Sequence, residues 1–496
     1  MRERNGSRIT AAALAIVLLL LLIPMLALSR YAMPTADDFG YGAGTHAAWE
    51  STRSLAAVLR AAAAYTAYIF ETWQGSFAAV FLMTLQPGIF GTAYYGLTTW
   101  IMLGMLIFGV LVFVRALCRH VLGCTAAERW ILTCVLLIAC TQFAEGPVEA
   151  FYWFNGAVFY TFFFSLFLLL WGLIISFLYR TRGKGSNALY YVAIPLLCAL
   201  IAGGNYTTGL QLAMLLPLPA LVRLFGKKDS NLLLPLSLLL FFALFAVNLS
   251  APGNAARVLQ SGGPLQAVRA ILNSVAMAAR RAGRWTTFPL LTLCAFLVPV
   301  GWRFAARTAF SFRWPVLVSV ASWLLLASGY TPTYYTQNFW GEYRLLAIQY
   351  DLYVLLLCGN VLYWTGWLQK RVFGADGLAE GIGAAVRRRA LQLSCGLLAV
   401  FLLCAVTNYS MFASTDAVKS LLNGEAKGYQ QEVAARLMQL ENAEDGADVV
   451  VPPLRRQPRL LFLYEWSTDP SAPVNCLVSG YYGVNSVRVD PTMEQP

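Results

Sequence analysis

Apolar runs of bilayer length recur along this 496-residue chain and leave few folds open to it. Crossing a hydrocarbon core takes about 20 helical residues, and every backbone N–H and C=O inside it must be bonded within the protein, so runs of this kind fold as packed helices. Composition agrees: 58% of residues are hydrophobic and 12% charged, against about a quarter charged in soluble proteins. The runs at 9–29, 92–114, 130–143, 157–179, 188–202, 209–224, 231–249, 285–304, 315–329, 345–367 and 390–407 predict a mainly α, polytopic transmembrane helical bundle of about eleven spans. The stretch 55–85 is apolar but carries Arg60, Glu71, Gln74 and several aromatic residues, which predicts a pair of helices lying in the membrane interface.

Basic residues set the orientation. With Arg2, Arg4 and Arg8 on the cytoplasmic side, alternate loops are basic: Arg115/Arg119/Arg129, Arg180/Arg182/Lys184, Arg223/Lys227/Lys228, Arg303/Arg307/Arg313, and Lys370/Arg371 with Arg387–Arg389. The positive-inside rule then places those loops in the cytoplasm and the chain after Asn408 outside. The net charge of +12 therefore reports topology, and no nucleic-acid motif accompanies it. The first apolar run exceeds the usual 7–15 residues of a signal-peptide core, so it reads as a retained anchor. Of the 10 cysteines only Cys476 falls in the outward tail, and no zinc spacing occurs, so neither a tail disulfide nor a structural zinc is expected.

Sorted by this topology, the carboxylates gather on one side. The outward side carries Asp37, Asp38, Glu50, Glu71, Glu145, Glu149, Glu342 and, within the span 345–367, Asp351, while the cytoplasmic side holds only Glu3, Glu128, Asp229, Asp376 and Glu380. Asp37 and Asp38 follow directly on the first apolar run. Like charges this close raise each other's proton affinity, which suits one of them to act as a base near neutral pH. Spacing fits either. The same pair also suits a solvated turn that ends a helix.

Four outward segments accompany the pair: 145–156 with Glu145, Glu149, Trp153 and Asn155; 203–209, rich in Gly and hydroxyls; 250–257 with Asn254 and Arg257; and 337–344 with Glu342, Tyr343 and Arg344. Taken singly, each suits an interfacial belt or a turn. Together they supply arginines for phosphate, aromatic rings for sugar faces, and carboxamides for hydroxyls. Such a set suits a phosphate-linked sugar at a membrane surface.

An N-terminal anchor, an acidic pair opening the first outward loop, an interfacial helix pair and about eleven spans resemble the GT-C superfamily of membrane glycosyltransferases. The segments 36–41 (Ala-Asp-Asp-Phe-Gly-Tyr), 73–75 (Trp-Gln-Gly), 151–157 (Phe-Tyr-Trp-Phe-Asn-Gly-Ala) and 251–257 (Ala-Pro-Gly-Asn-Ala-Ala-Arg) are similar to those of a bacterial branch akin to the GtrII-like glucosyltransferase group. Members often carry a basic residue after Trp-x-Gly, where this chain has Ser76. The resemblance covers residues 1–407 and implies a catalytic module there, with residues 30–91 as its first outward loop. It implies transfer of a sugar from a polyprenyl-phosphate donor to an envelope glycan, lipid or protein on the outer face of a bacterial cytoplasmic membrane, with inversion. A polyprenyl-phosphate-sugar synthase and a flippase would serve the same pathway. Within it, Asp37 or Asp38 is the expected base and Arg257 and Arg344 hold the donor phosphate. Glu145, Glu149, Trp153, Asn155, Trp73, Asn254, Glu342 and Tyr343 are expected to contact substrate. A divalent cation, Mg or Mn, would use Asp38, Glu145 and His46.

From 408 the composition turns polar. An amphipathic helix is predicted over 416–440, followed by short apolar runs at 449–451, 460–464 and 476–478, which suggests a small outward-facing α/β domain over 408–496. Competing readings are a transporter or polymerase of lipid-linked glycans, and a non-catalytic envelope scaffold whose tail binds a partner. No phosphate-binding loop of the G-x-x-x-x-G-K-[ST] type is present, which argues against an ATP-driven pump.

Overall fold

The first helix, α1 (Arg2–Leu28), ends in a short turn at Ser29–Tyr31, and the chain then reverses into α2 (Asp37–Thr52) and α3 (Leu55–Thr72). These belong to a computed structural model that describes residues 2–35, 37–179, 188–225, 231–260, 263–341, 343–374 and 378–493. Among them, 7 helices are long and apolar enough to cross a membrane: Gly6–Tyr31, Thr92–Leu122, Phe154–Leu178, Tyr206–Phe225, Phe288–Arg307, Pro315–Gln337 and Arg344–Val372. The chain is thus a mainly α, polytopic helical protein.

The expected spans at 130–143, 188–202, 231–249 and 390–407 are helical too, but none meets the same length and apolarity by itself. The third of them runs into Pro252–Gln260 across a 47° bend. Ser250 and Ala251 interrupt the helix there, and Pro252 opens the next one at a first-turn position, where its missing N–H costs nothing. Helix Ala126–Gln142 occupies the middle of the bundle, packed on α1 and on the helices of 97–116 and 343–367. Its residues 131–142 are all buried, so that part of the helix faces protein on every side, as a helix apolar around its circumference does in the middle of a bundle. The stretch expected to form an interfacial helix pair forms α3 and the short helix Phe77–Met83.

At one end of the bundle, Thr125 and Glu128 form a capping box. The buried Glu128 carboxylate also accepts from Arg303 at 2.7 Å and from Arg307 at 2.8 Å, tying the central helix to the span 288–307. The opposite end carries α2, α3 and the C-terminal chain.

The predicted single helix over 416–440 is two, Ala413–Leu422 and Glu425–Glu441, broken at Gly424, whose φ of +75° a helix cannot contain. Of the three short apolar runs, only the first forms a strand, β1 (Asp448–Val451). The second is a turn, and the third lies in helix Pro473–Tyr482. That helix crosses over to β2 (Ser486–Val489), which pairs parallel with β1 in the register Asp448↔Ser486 to Val451↔Val489. Val449, Val451, Val487 and Val489 point inward and are buried, the period-2 pattern of a one-sided sheet.

This βαβ unit rests on α2. Phe39 meets Tyr481 edge-on at 5.4 Å and Trp466 at 6.3 Å, and His46 stacks on Tyr481 at 4.8 Å. A second tie joins Ser414 N–H to the Gln142 carboxamide at 3.0 Å, at the end of the central helix.

Candidate functional site

Helix periodicity separates the two acids. Successive residues on a helix point about 100° apart, so when the Asp38 side chain faces the bundle, Asp37 faces along its edge. Asp38 is fully buried and Asp37 keeps 34% of its side-chain exposure.

Asp38 is held by three donors. Oδ2 accepts Tyr95 O–H at 2.5 Å and Thr35 N–H at 3.1 Å, and Oδ1 accepts Asn155 N–H at 3.3 Å. The bond back to Thr35 ties the chain just before α2 to its first turn. Tyr95 in turn accepts Phe154 N–H at 3.0 Å, so one carboxylate fixes the entry of α2, the start of the span 92–122 and the turn at 153–155. Burial raises the Asp38 carboxyl from its ordinary 3.8 to about 7, against the lowering effect of these hydrogen bonds. Such a group organises its surroundings and has no path to a substrate proton. Of the two acids expected as the base, only Asp37 is open to solvent.

Two guanidiniums act on this end of α2. Arg344 Nη1 lies 3.7 Å from its carboxylate and sits over the Trp153 ring at 5.5 Å. Arg257 lies over the Trp73 ring at 5.1 Å and donates to Gln74 Oε1 at 3.4 Å. The Gln337 carboxamide oxygen, in the orientation that satisfies both groups, accepts from Arg257 Nη2 at 2.7 Å and Nε at 2.9 Å. Tyr41, one helical turn from Asp37, senses all three charges: burial first, then Asp37, raise its phenol, and Arg257 and Arg344 pull it down. Tyr65 packs on Tyr41 at 5.5 Å, and burial pushes its phenol up to about 12. Both phenols are therefore neutral hydrogen-bond donors at physiological pH.

The position of Arg257 depends on two glycines. The turn at 73–76 lies against the break between the helices of 233–249 and 252–260, and Gly75 N–H donates to Asn254 Oδ1 at 3.1 Å and to Tyr206 Oη at 3.2 Å. A Cβ on Gly75 would stand 1.9 Å from the Asn248 carbonyl oxygen, and one on Gly253 would stand 2.3 Å from Trp73 N. Only glycine permits this approach. Gly75→Ala is expected to force the 73–76 turn away from the helix break at 250–251 while leaving a protein that inserts in membranes; the check is faster hydrogen exchange across 73–76 and 252–260 alongside the yield of monodisperse protein in detergent.

Several expected contacts need correction. Asn254 is no substrate ligand: its oxygen also accepts from Tyr206 O–H at 2.6 Å, and its amide donates to Asn248 O at 2.7 Å and Leu249 O at 3.1 Å, which uses its whole capacity. Trp153 is buried with Val148 and partly buried Leu463, so it is a floor under Arg344 and offers no open ring to a sugar. Asn155 is buried and contributes its backbone N–H, and its carboxamide has no hydrogen-bond partner among the described residues. Glu149 is buried in the turn 148–152. Glu342 and the Tyr343 side chain lie outside the described residues.

The expected metal ligands do not converge. Asp38 is enclosed, His46 binds Ile89 O at 2.9 Å beneath Tyr481, and Glu145 pairs with Arg281 at 3.2 Å. Among the described residues no three His, Cys, Asp or Glu side chains are grouped to hold an ion.

Glu145 belongs instead to a second constellation that repeats the chemistry of the first. Arg281 is buried and sits over the Trp340 ring at 4.7 Å; among the described residues its Nε has no hydrogen-bond partner, and neither has the buried Tyr330 hydroxyl. The same two segments build both groups with roles exchanged. The 145–153 segment gives the acid Glu145 to one and Trp153 to the other, while the 340–344 segment gives Trp340 to one and Arg344 to the other.

The sequence alone did not single out Tyr95, Tyr41, Gln337 or Tyr330. Tyr95 stands beside Tyr94 at the start of a span, where aromatic residues are ordinary interface anchors. Compared with protein-family models, with curated proteins and with solved structures, the chain finds no match in any of the three.

Proposed function

We propose that this chain is a membrane glycosyltransferase that moves a sugar from a polyprenyl-phosphate donor to an envelope acceptor on the outer face of a bacterial cytoplasmic membrane. The observation that carries the reading is Asp37, a part-exposed carboxylate within 3.7 Å of Arg344, with Arg257 acting on the same Tyr41 phenol.

In this reading the donor phosphate takes Arg257 and Arg344. Drawing Arg344 to the phosphate loosens its hold on Asp37 and leaves the carboxylate free to take a proton, so donor binding prepares the base. The acceptor hydroxyl gives its proton to Asp37 as its oxygen bonds to the anomeric carbon, and the bond from that carbon to the phosphate oxygen breaks on the opposite face, inverting the centre. The departing polyprenyl phosphate gains a negative charge that it lacked as a diester. Two fixed guanidiniums stabilise that charge more in the transition state than in the ground state. A divalent cation fits this donor set poorly, because among the described residues it would meet one accessible carboxylate between two arginines. The phosphate charge is therefore assigned to the arginines.

The Glu145–Arg281–Trp340 group is assigned to the acceptor sugar, with the part-exposed Glu145 carboxylate accepting from its hydroxyls and the half-buried Trp340 ring offered to its apolar face. Trp340→Ala and Glu145→Gln are expected to raise the acceptor KM by roughly tenfold, about one lost hydrogen bond or stacking contact, with donor KM unchanged. Equal changes in both KM values would remove the acceptor assignment.

The deciding experiment is sugar transfer in proteoliposomes from a panel of radiolabelled polyprenyl-phosphate sugars to envelope acceptors, comparing wild type with Asp37→Asn. Transfer lost in the variant supports the reading. Activity undiminished in the variant refutes the catalytic role of Asp37, and no turnover with a broad panel favours transport or a scaffold.

A further inference from the structure

At the end of the bundle away from Asp37, helices 97–116 and 126–142 enclose a groove of about 470 Å³. Tyr95, on the Asp38 side, and Arg115 lie at opposite ends of one helical span, so the groove runs from about 20 Å to about 30 Å from the candidate site at 1.5 Å per residue. Phe108, Leu111 and Val112 line its length, and Arg115, Arg129 and Trp130 stand at its mouth. Phe108 and Trp130 are exposed, as are residues of a face turned toward lipid.

The charges there are unspent. Glu128, the one carboxylate next to the mouth in sequence, is taken by Arg303 and Arg307. Arg115 and Arg129 have no carboxylate partner among the described residues. Two guanidiniums held within one small groove are mutually repulsive unless an anion lies between them, and guanidinium forks match phosphate oxygens. An indole at the same level is an amphipathic ring of the kind that settles at the boundary of headgroup and hydrocarbon.

We propose that this groove binds one anionic phospholipid of the surrounding leaflet, its phosphate between Arg115 and Arg129 and one acyl chain along Phe108, Leu111 and Val112. A zwitterionic lipid brings its own ammonium to the mouth and offsets the attraction of the two arginines. The site is remote from Asp37 and does not rest on the glycosyltransferase reading.

Native mass spectrometry of the full chain, released from nanodiscs holding phosphatidylglycerol and phosphatidylcholine of matched chains, tests it. Wild type should retain one phosphatidylglycerol in preference to phosphatidylcholine. The double variant Arg115→Gln/Arg129→Gln should weaken that retention by roughly tenfold or more, at about 1 kcal/mol per basic residue near a lipid surface. Leu111→Trp, which fills the trough and leaves both charges, should expel the lipid as well, whereas Arg119→Gln, outside the groove lining, should not. Retention unchanged in the double variant overturns the proposal. So does unchanged retention in Leu111→Trp, because lipid would then be held by surface charge alone. If polyprenyl phosphate added to the nanodiscs displaces the phosphatidylglycerol at equal mole fraction, the assigned occupant is wrong.

Discussion

Asp37→Asn is expected to lower sugar transfer by roughly 10²- to 10⁴-fold, the usual loss for a general base, and to leave the thermal midpoint of the protein unchanged. Asp38→Asn should lose activity as well, but for a different reason and with a different signature. Its carboxamide turns an N–H₂ toward donors that now meet a carboxylate, from Tyr95 and Thr35 on one oxygen and Asn155 on the other. A buried donor left unsatisfied costs about 1–3 kcal/mol, so this variant should melt earlier.

pH separates the two further. With a native value of about 7 against an ordinary 3.8, the Asp38 carboxyl takes up a proton on folding across that interval, so its contribution favours the native state on the acid side. It should fall steadily as pH rises from about 4 to about 7 and stay flat above. Midpoints recorded across this range for wild type, Asp37→Asn and Asp38→Asn should show a slope in the first two that the third lacks. A slope that persists in Asp38→Asn would mean that another group is its source.

The second large effect is expected at Arg436→Ala. This guanidinium is buried in the C-terminal unit, where Nε donates to Pro452 O at 2.9 Å, Nη1 to Glu465 Oε1 at 2.7 Å and Nη2 to Glu465 Oε2 at 3.0 Å. Glu465 also accepts Leu454 N–H at 2.7 Å, and Arg436 sits over Trp466 at 5.2 Å. Removing one partner from a buried pair costs about 3–5 kcal/mol; since Glu465 keeps some exposure, about 3 kcal/mol is expected here. Hydrogen exchange should quicken across 448–489 and stay slow in the central helix 126–142. Uniformly faster exchange through both regions would show that the C-terminal unit and the bundle unfold together.

Helices were legible in the sequence because hydrocarbon length and apolarity are local properties: every expected span is helical. Their number was less so. Burial inside protein and burial in lipid favour the same residues, and the largely apolar run Ile-Leu-Thr-Cys-Val-Leu-Leu-Ile at 131–138 does not say which one it will meet. The acid pair was legible as an exception to the charge pattern. The division of labour between its members was not, since it depends on Tyr95 and Asn155, which are 57 and 117 residues away. Arg436 looked like an ordinary charge on an amphipathic helix. Only the return of the chain at Pro452 and Glu465 gives it partners. Gly75 and Gly253 lay inside quoted motifs, but the close approach that requires them joins segments far apart in sequence.

One turn of α2 brings three consecutive residues to three different neighbours: Asp37 to Arg344, Asp38 to Tyr95, and Phe39 to Tyr481 and Trp466. A helix is stiff in torsion, so these three contacts form a single gauge. Whatever lifts or seats the βαβ unit against Phe39 rotates the same rod that aims Asp37, with the bond from Asp38 to Tyr95 as its bearing. The seating of that unit, more than 400 positions further along the chain, is thereby linked to the setting of one carboxylate at the chain's beginning.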